Sequence, residues 1–128
     1  MRTILKSFHR ALNKGLPETF YAIFLEHDDR IRELFKNTDF KKQRDLFVHG
    51  VLMLIEFADG KAMGLMAMQR LGESHSRKKL NVTPDLYPIW VDSMMEALAK
   101  LDPEFTPELE RQWRQALRKG IDLLIKMN

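Results

Sequence analysis

Apolar residues recur at helical spacing along nearly the whole chain, and no stretch alternates apolar with polar as a half-buried strand would, so the sequence reads as all-α. Proline and acid punctuate it. Leu16-Pro17-Glu18, Thr83-Pro84-Asp85 and Thr106-Pro107-Glu108 each put Pro in a first helical turn, where its missing N–H is unpaired anyway. A carboxylate follows each Pro and faces the positive end of the helix dipole, and the two Thr residues add side-chain caps. These signals predict six helices, over about 3–14, 17–35, 40–58, 61–75, 84–101 and 107–127. Asp59-Gly60 and Asp102-Pro103 break neighbouring helices apart. Pro88, about one turn into the fifth helix, predicts an unpartnered Pro84 carbonyl and a mild kink.

Two faces can be read by counting. Gln43, Phe47, Gly50, Val51 and Leu54 form one stripe of the third helix, and Trp113, Leu117, Gly120, Ile121 and Leu124 repeat that spacing in the last. Both are core faces, with Arg111, Arg114, Arg118 and Lys119 on the outside of the last helix.

Composition narrows the function classes. The 128 residues, 45% hydrophobic with eight Phe, six Gly and five Pro, make one packed domain spanning 1–128 rather than a disordered or repetitive chain. Zero Cys excludes disulfides, cysteine-ligated metal sites and a thiol nucleophile. The net charge is +3 with both signs interleaved, so no nucleic-acid partner is expected; the basic outer face of the last helix is diluted by Asp and Glu. The N-terminal stretch lacks the apolar run of a signal peptide, and the longest apolar stretch, Val51 to Ala58, is interrupted by Glu56. A soluble cytoplasmic protein without a membrane partner is the expectation.

Of the four histidines, His9 and His27 stand in charged surroundings and His49 lies off its helix's apolar stripe, so all three read as surface residues. His75 differs. It ends the helix containing Met63 to Gly72, with Met68 and Leu71 on its own face. Two readings stand: a hydrogen-bonded core histidine, or a ligand. No HExxH, paired carboxylates or second histidine at helical spacing supports zinc or di-iron. A lone imidazole on an apolar face suits a cofactor bringing its other ligands with it, and haem is the common example.

Phe20-Tyr21-Ala22-Ile23-Phe24, Ile31-Arg32-Glu33-Leu34-Phe35, Lys42-Gln43-Arg44-Asp45-Leu46-Phe47, Leu71-Gly72-Glu73-Ser74-His75 and Val82-Thr83-Pro84-Asp85-Leu86-Tyr87 together resemble the bacterial single-domain haemoglobins and the haem domains of flavohaemoglobins. The resemblance runs from about residue 15 to about 117, and the separations Tyr21 to Phe35 and Gln43 to His75 are those this family uses. It implies a globin fold of six to seven helices packed at roughly 50° around a haem b pocket. His75 then matches the proximal iron ligand, Tyr21 and Gln43 the distal donors, Phe35 the ring against the haem plane and Phe47 the next distal-helix position facing the iron. The His75 N–H would reach the Leu71 carbonyl, and Tyr87 completes the set. O₂ on ferrous haem carries partial negative charge, so a phenol O–H and an amide N–H across the pocket would slow its release. Phe24, Phe35, Phe47 and Leu54 would exclude water. Apart from the resemblance, Tyr21 reads as a core-edge tyrosine and Gln43 as a surface helix residue, while Arg77-Lys78-Lys79 reads equally as a solvated loop or as a basic rim for the haem propionates, worth at most about 1 kcal/mol per exposed pair.

The chain departs from the family in three places. The segment from Phe35 to Gln43 is shorter, which predicts a tight turn and no fourth helix of the classical globin set. The segment from His75 to Tyr87 is longer. Aligning on Trp113 sets Asn128 where flavohaemoglobins carry a glutamate that pushes electron density to the iron, so NO-dioxygenase chemistry is disfavoured. No GxGxxG follows, and such turnover would need an external reductase. The expected function is reversible binding of O₂, or of NO or CO, at a five-coordinate haem iron. The alternative is a haem-free, globin-like helical regulator, for which eight pliable Met supply an adaptable surface.

Overall fold

Seven α-helices make up the computed structural model, which describes residues 2–75 and 83–127. They are α1 (Arg2–Leu12), α2 (Leu16–Phe24), α3 (Asp29–Leu34), α4 (Phe40–Ala58), α5 (Ala62–His75), α6 (Leu86–Leu101) and α7 (Pro107–Met127). No strand occurs among the described residues, and none of their helices is long and apolar enough to cross a membrane. Arg77, Lys78 and Lys79 lie outside the described residues.

Several helix starts follow their sequence signals. Pro17 and Glu18 sit in the first turn of α2, and Pro107 opens α7, where the Leu109 N–H donates to Thr106 Oγ1 at 3.1 Å. The expected single helix over 17–35 is instead two. Asp28 accepts the Arg30 N–H at 2.8 Å and so caps a new short helix, while Arg32 Nη1 donates to the Leu25 carbonyl at 2.6 Å and holds the open end of α2 in the corner. The fifth expected helix also starts late. Thr83 does not cap it; the Leu86 and Tyr87 N–H groups donate to the carbonyls of Thr83 and Pro84 in a preceding turn. Pro84 therefore has a backbone partner, and Pro88 falls in the first turn of α6, where it breaks no bond and gives no cause for a kink. Between α3 and α4 only a short turn intervenes, with no further helix.

The α7 stripe packs against α4 and α5, and Trp113, Leu117, Gly120, Ile121 and Leu124 are all buried. Where that stripe begins, at Trp113, a polar lock ties α1 to the α6–α7 corner. Ser7 Oγ donates to Asp102 Oδ2 at 2.6 Å, Arg10 Nε donates to Asp102 Oδ1 at 2.6 Å, and Trp113 Nε1 donates to Ser7 Oγ at 3.0 Å. Ser7 and Asp102 are both buried.

The turn from α4 to α5 sets the position of α5. Gly60, at φ 79°, takes the left-handed conformation; its N–H donates to the Phe57 carbonyl and that of Lys61 to Glu56, closing a Schellman motif. The backbones then nearly touch: a Cβ on Gly64 would stand 2.4 Å from Phe57 N. Since the obstacle is backbone, Gly64→Ala is expected to destabilise the fold by about 2 kcal/mol despite alanine's better helix propensity. Gly72→Ala, on the same helix, meets the Met127 side chain, whose thioether can move aside and whose Cβ stands at 3.3 Å, and should cost much less than Gly64→Ala. Urea unfolding of the two variants checks the contrast.

Candidate functional site

On α2, Phe20, Tyr21 and Phe24 are buried side by side and meet α4 and α6. Phe20 stacks on Phe47 with centroids 4.6 Å apart and packs against Trp90 at 5.4 Å, and Phe47 meets Trp90 at 6.2 Å. The turn after α3 brings Phe35 edge-on to Tyr21 at 5.7 Å, and Phe40, first residue of α4, meets it from another side at 5.6 Å. Each such pair contributes about 0.5–1.5 kcal/mol beyond its buried area, so the cluster holds Tyr21 firmly in place.

Its polar centre is one hydrogen bond. Asp39 caps α4 by accepting the Lys41 N–H at 3.0 Å, which sets the helix register so that Gln43 and Phe47 lie one turn apart on the side facing α2. Gln43 Nε2 then donates to Tyr21 Oη at 2.9 Å. The Tyr21 hydroxyl thereby serves as acceptor, and its own hydrogen has no acceptor among the described residues. Burial pushes the phenol above its ordinary value of 10, outweighing the opposing effect of the Gln43 bond, so the O–H stays protonated across the neutral range.

Of the seven residues singled out from the sequence, Tyr21, Phe35, Gln43 and Phe47 come together here. Leu71 is half-buried on α5, and Tyr87 is buried in the first turn of α6, where burial raises its phenol too. The Tyr87 hydroxyl has no partner among the described residues. His75 is the last residue of α5, and its side chain lies outside the described residues. His9, His27 and His49 are exposed, and His27 Nε2 lies 3.0 Å from Glu96. Leu54, expected beside the rings, is packed instead against Gly120 of α7, where a Cβ would stand 2.2 Å from its Cδ2. Sequence reasoning missed Phe20, Phe40 and Trp90. The readable signal was helical spacing: Phe20 precedes Phe24 by one turn, Phe40 precedes Gln43 by three residues, and Trp90 follows Tyr87 by three.

A family model described as Globin matches residues 18–122. The chain also superposes, with a TM-score of 0.94, on the crystal structure of a protein of Pseudomonas aeruginosa PAO1 described as structurally highly homologous to a human hemoglobin. The two chains are 30% identical, and the match covers 98% of this chain and 95% of that one. No curated protein sequence matches.

Proposed function

The chain belongs to the globin family, with the all-α fold of a bacterial haemoglobin-like globin, and from that premise we propose that it works as a single domain that binds haem b and, reversibly, a diatomic gas. His75 would hold the iron from the end of α5, with Leu71 and Tyr87 on the same side and Tyr21 and Gln43 opposite. Haem supplies an iron with one exchangeable position for O₂, NO or CO.

The donor set at Tyr21 supports this reading. A buried phenol that accepts from Gln43 and retains its own hydrogen is a donor awaiting an acceptor, and nothing in the surrounding aromatic wall can accept it. A gas atom that gains negative charge on binding fits that gap. Gln43 fixes the phenol's direction, so little reorganisation is left to the moment of binding. Phe35 and Phe47, both in contact with Tyr21, keep the neighbourhood dry and so strengthen the donated bond. On the other side, a neutral imidazole at His75 would offer a nitrogen lone pair, and the Leu71 carbonyl, four residues earlier in sequence, would accept its other N–H and fix the ring.

Visible absorption tests the proposal. Protein reconstituted with hemin and reduced is expected to show an intense Soret band that sharpens and shifts under CO, and His75→Ala to lose the haem or that response. A colourless protein that takes up no hemin would overturn the reading in favour of a helical interaction protein.

A further inference from the structure

The positive charge of the chain is concentrated at one end. Residues 1–17 hold Arg2, Lys6, Arg10 and Lys14 and no Asp or Glu, so these four cations alone exceed the whole net charge of +3. Ile4 and Phe8 anchor α1 in the core, while Arg2, Lys6 and Lys14 are exposed. Arg2 and Lys6 stand one turn apart at the start of α1 and make no ion pair among the described residues. Like charges at that spacing repel, and the first turn of α1, which holds no acid, is the positive end of the helix dipole. The pair is thus placed at a cost in stability that an anion would relieve.

Both side chains line a cleft of about 320 Å³ between α1 and the start of α7, with Thr3 and Arg10 beside them and Glu104 and Glu108 across from α1 in sequence. The acids are already engaged. Glu108 accepts from Arg111 Nε at 2.9 Å and from Gln112 Nε2 at 3.2 Å, and Glu104, 70% exposed, lies 3.5 Å from Arg10 Nε. Arg10 is held in turn by Asp102. What the cleft leaves unanswered is two cations and the Thr3 hydroxyl, none of which has a partner among the described residues.

We propose that this cleft binds a phosphate monoester between Arg2 and Lys6. Charge selects the class. A carboxylate brings one negative charge and answers one cation, whereas a phosphate monoester is close to a dianion at neutral pH and offers three acceptor oxygens to two cations and a hydroxyl. The guanidinium of Arg2 supplies a planar fork that matches two of those oxygens, and the ammonium of Lys6 a point charge one turn away. Size agrees, because sites for small molecules begin at about 300 Å³, which leaves room for the phosphate and a small organic remainder. Nothing in this site depends on haem, so it stands or falls apart from the gas-binding reading.

Inorganic phosphate and glycerol phosphate are the probes, with acetate as the comparison, all at constant ionic strength so that screening does not vary. In ¹⁵N-labelled, CO-saturated protein, both phosphates are expected to shift the amides of Thr3, Lys6 and Gln112 saturably, and acetate at the same concentrations to leave them in place. Arg2→Gln with Lys6→Gln is expected to weaken phosphate binding at least about tenfold, as the loss of charge-assisted bonds requires. Both residues are exposed, so without phosphate this variant should unfold no lower in temperature than the parent. Lys14→Gln removes the same charge from a residue that does not line the cleft, and its affinity should match the parent's. No saturable shift, an equal response to acetate, or an equal loss in Lys14→Gln overturns the site. Vesicles containing phosphatidic acid distinguish the source. Co-sedimentation of the parent that the double variant loses assigns the monoester to a lipid headgroup, and no co-sedimentation assigns it to a soluble compound.

Discussion

Replacing Asp102 with alanine is expected to cost the fold about 3 kcal/mol, which for a chain of this length lowers the melting temperature by about 12 °C. Asp102 accepts from Ser7 Oγ, from Arg10 through Nε and Nη2, and from the Glu104 N–H at 3.0 Å. Its side chain is fully buried, so removing it leaves Ser7 without its acceptor in a dry interior and takes away what aligns Ser7 beneath Trp113. The cost stays at the low end for a buried pair because Arg10 is about one-quarter exposed and has Glu104 at 3.5 Å as a substitute partner. Acid should erase the difference. Burial pushes the Asp102 carboxyl up, but the bonds from Arg10, Ser7 and Glu104 together outweigh it and hold the group below its ordinary 3.8. A carboxyl depressed in the folded state adds stability above its unfolded value, near 4, and gives it up as pH falls through the folded one. The gap between parent and variant should therefore be widest near neutral pH and close in acid. Thermal unfolding followed by far-UV circular dichroism, from pH 7 down to pH 3, measures both effects.

That lock shows where sequence legibility ends. Helix faces depend on residues three and four apart, so the buried stripes of α4 and α7 could be counted directly from Phe47 and Trp113. Caps are nearly as local, and Thr106-Pro107 opens α7 as its pattern predicts. Where two local signals compete, the outcome turns on tertiary contacts. Asp28 is one of two adjacent acids in a helical-looking run, and it becomes a cap because Arg32 reaches back to the Leu25 carbonyl and stabilises the corner. Thr83-Pro84 carries the same pattern as Thr106-Pro107, yet a turn intervenes and delays α6 to Leu86. Ser7, Arg10, Asp102 and Trp113 come from opposite ends of the chain and share no periodicity, so Asp102 reads in sequence only as part of a breaker beside Pro103. The site follows the same rule. Tyr21 and Gln43 were singled out through family spacing, whereas Phe20, Phe40 and Trp90 complete the cluster through packing that spacing alone does not express.

Tyr21→Phe is expected to speed O₂ dissociation from the haem-loaded protein by about 10- to 100-fold, the equivalent of losing a hydrogen bond of about 1.5–3 kcal/mol to a charged acceptor. The substitution keeps the ring contacts with Phe35, Phe40 and Phe47 and removes only the oxygen, so packing should survive. CO gains much less negative charge than O₂, and its dissociation should change little; that contrast separates a lost donor from a distorted pocket. Gln43 provides the second control. In the parent its amide is committed to Tyr21 Oη at 2.9 Å, and in Tyr21→Phe it is released to face the ligand and recover part of the loss. Removing both, in Tyr21→Phe with Gln43→Leu, should then cost more than the first substitution alone, and subtracting the cost of Gln43→Leu in the parent from that extra cost gives the coupling within the pair. The parent rate should be flat in pH through neutrality, because burial holds the Tyr21 phenol above its ordinary 10 and keeps the donor proton in place. Stopped-flow displacement of O₂ by CO reads all of these rates. Equal O₂ rates in parent and Tyr21→Phe would show that this hydroxyl faces away from the ligand.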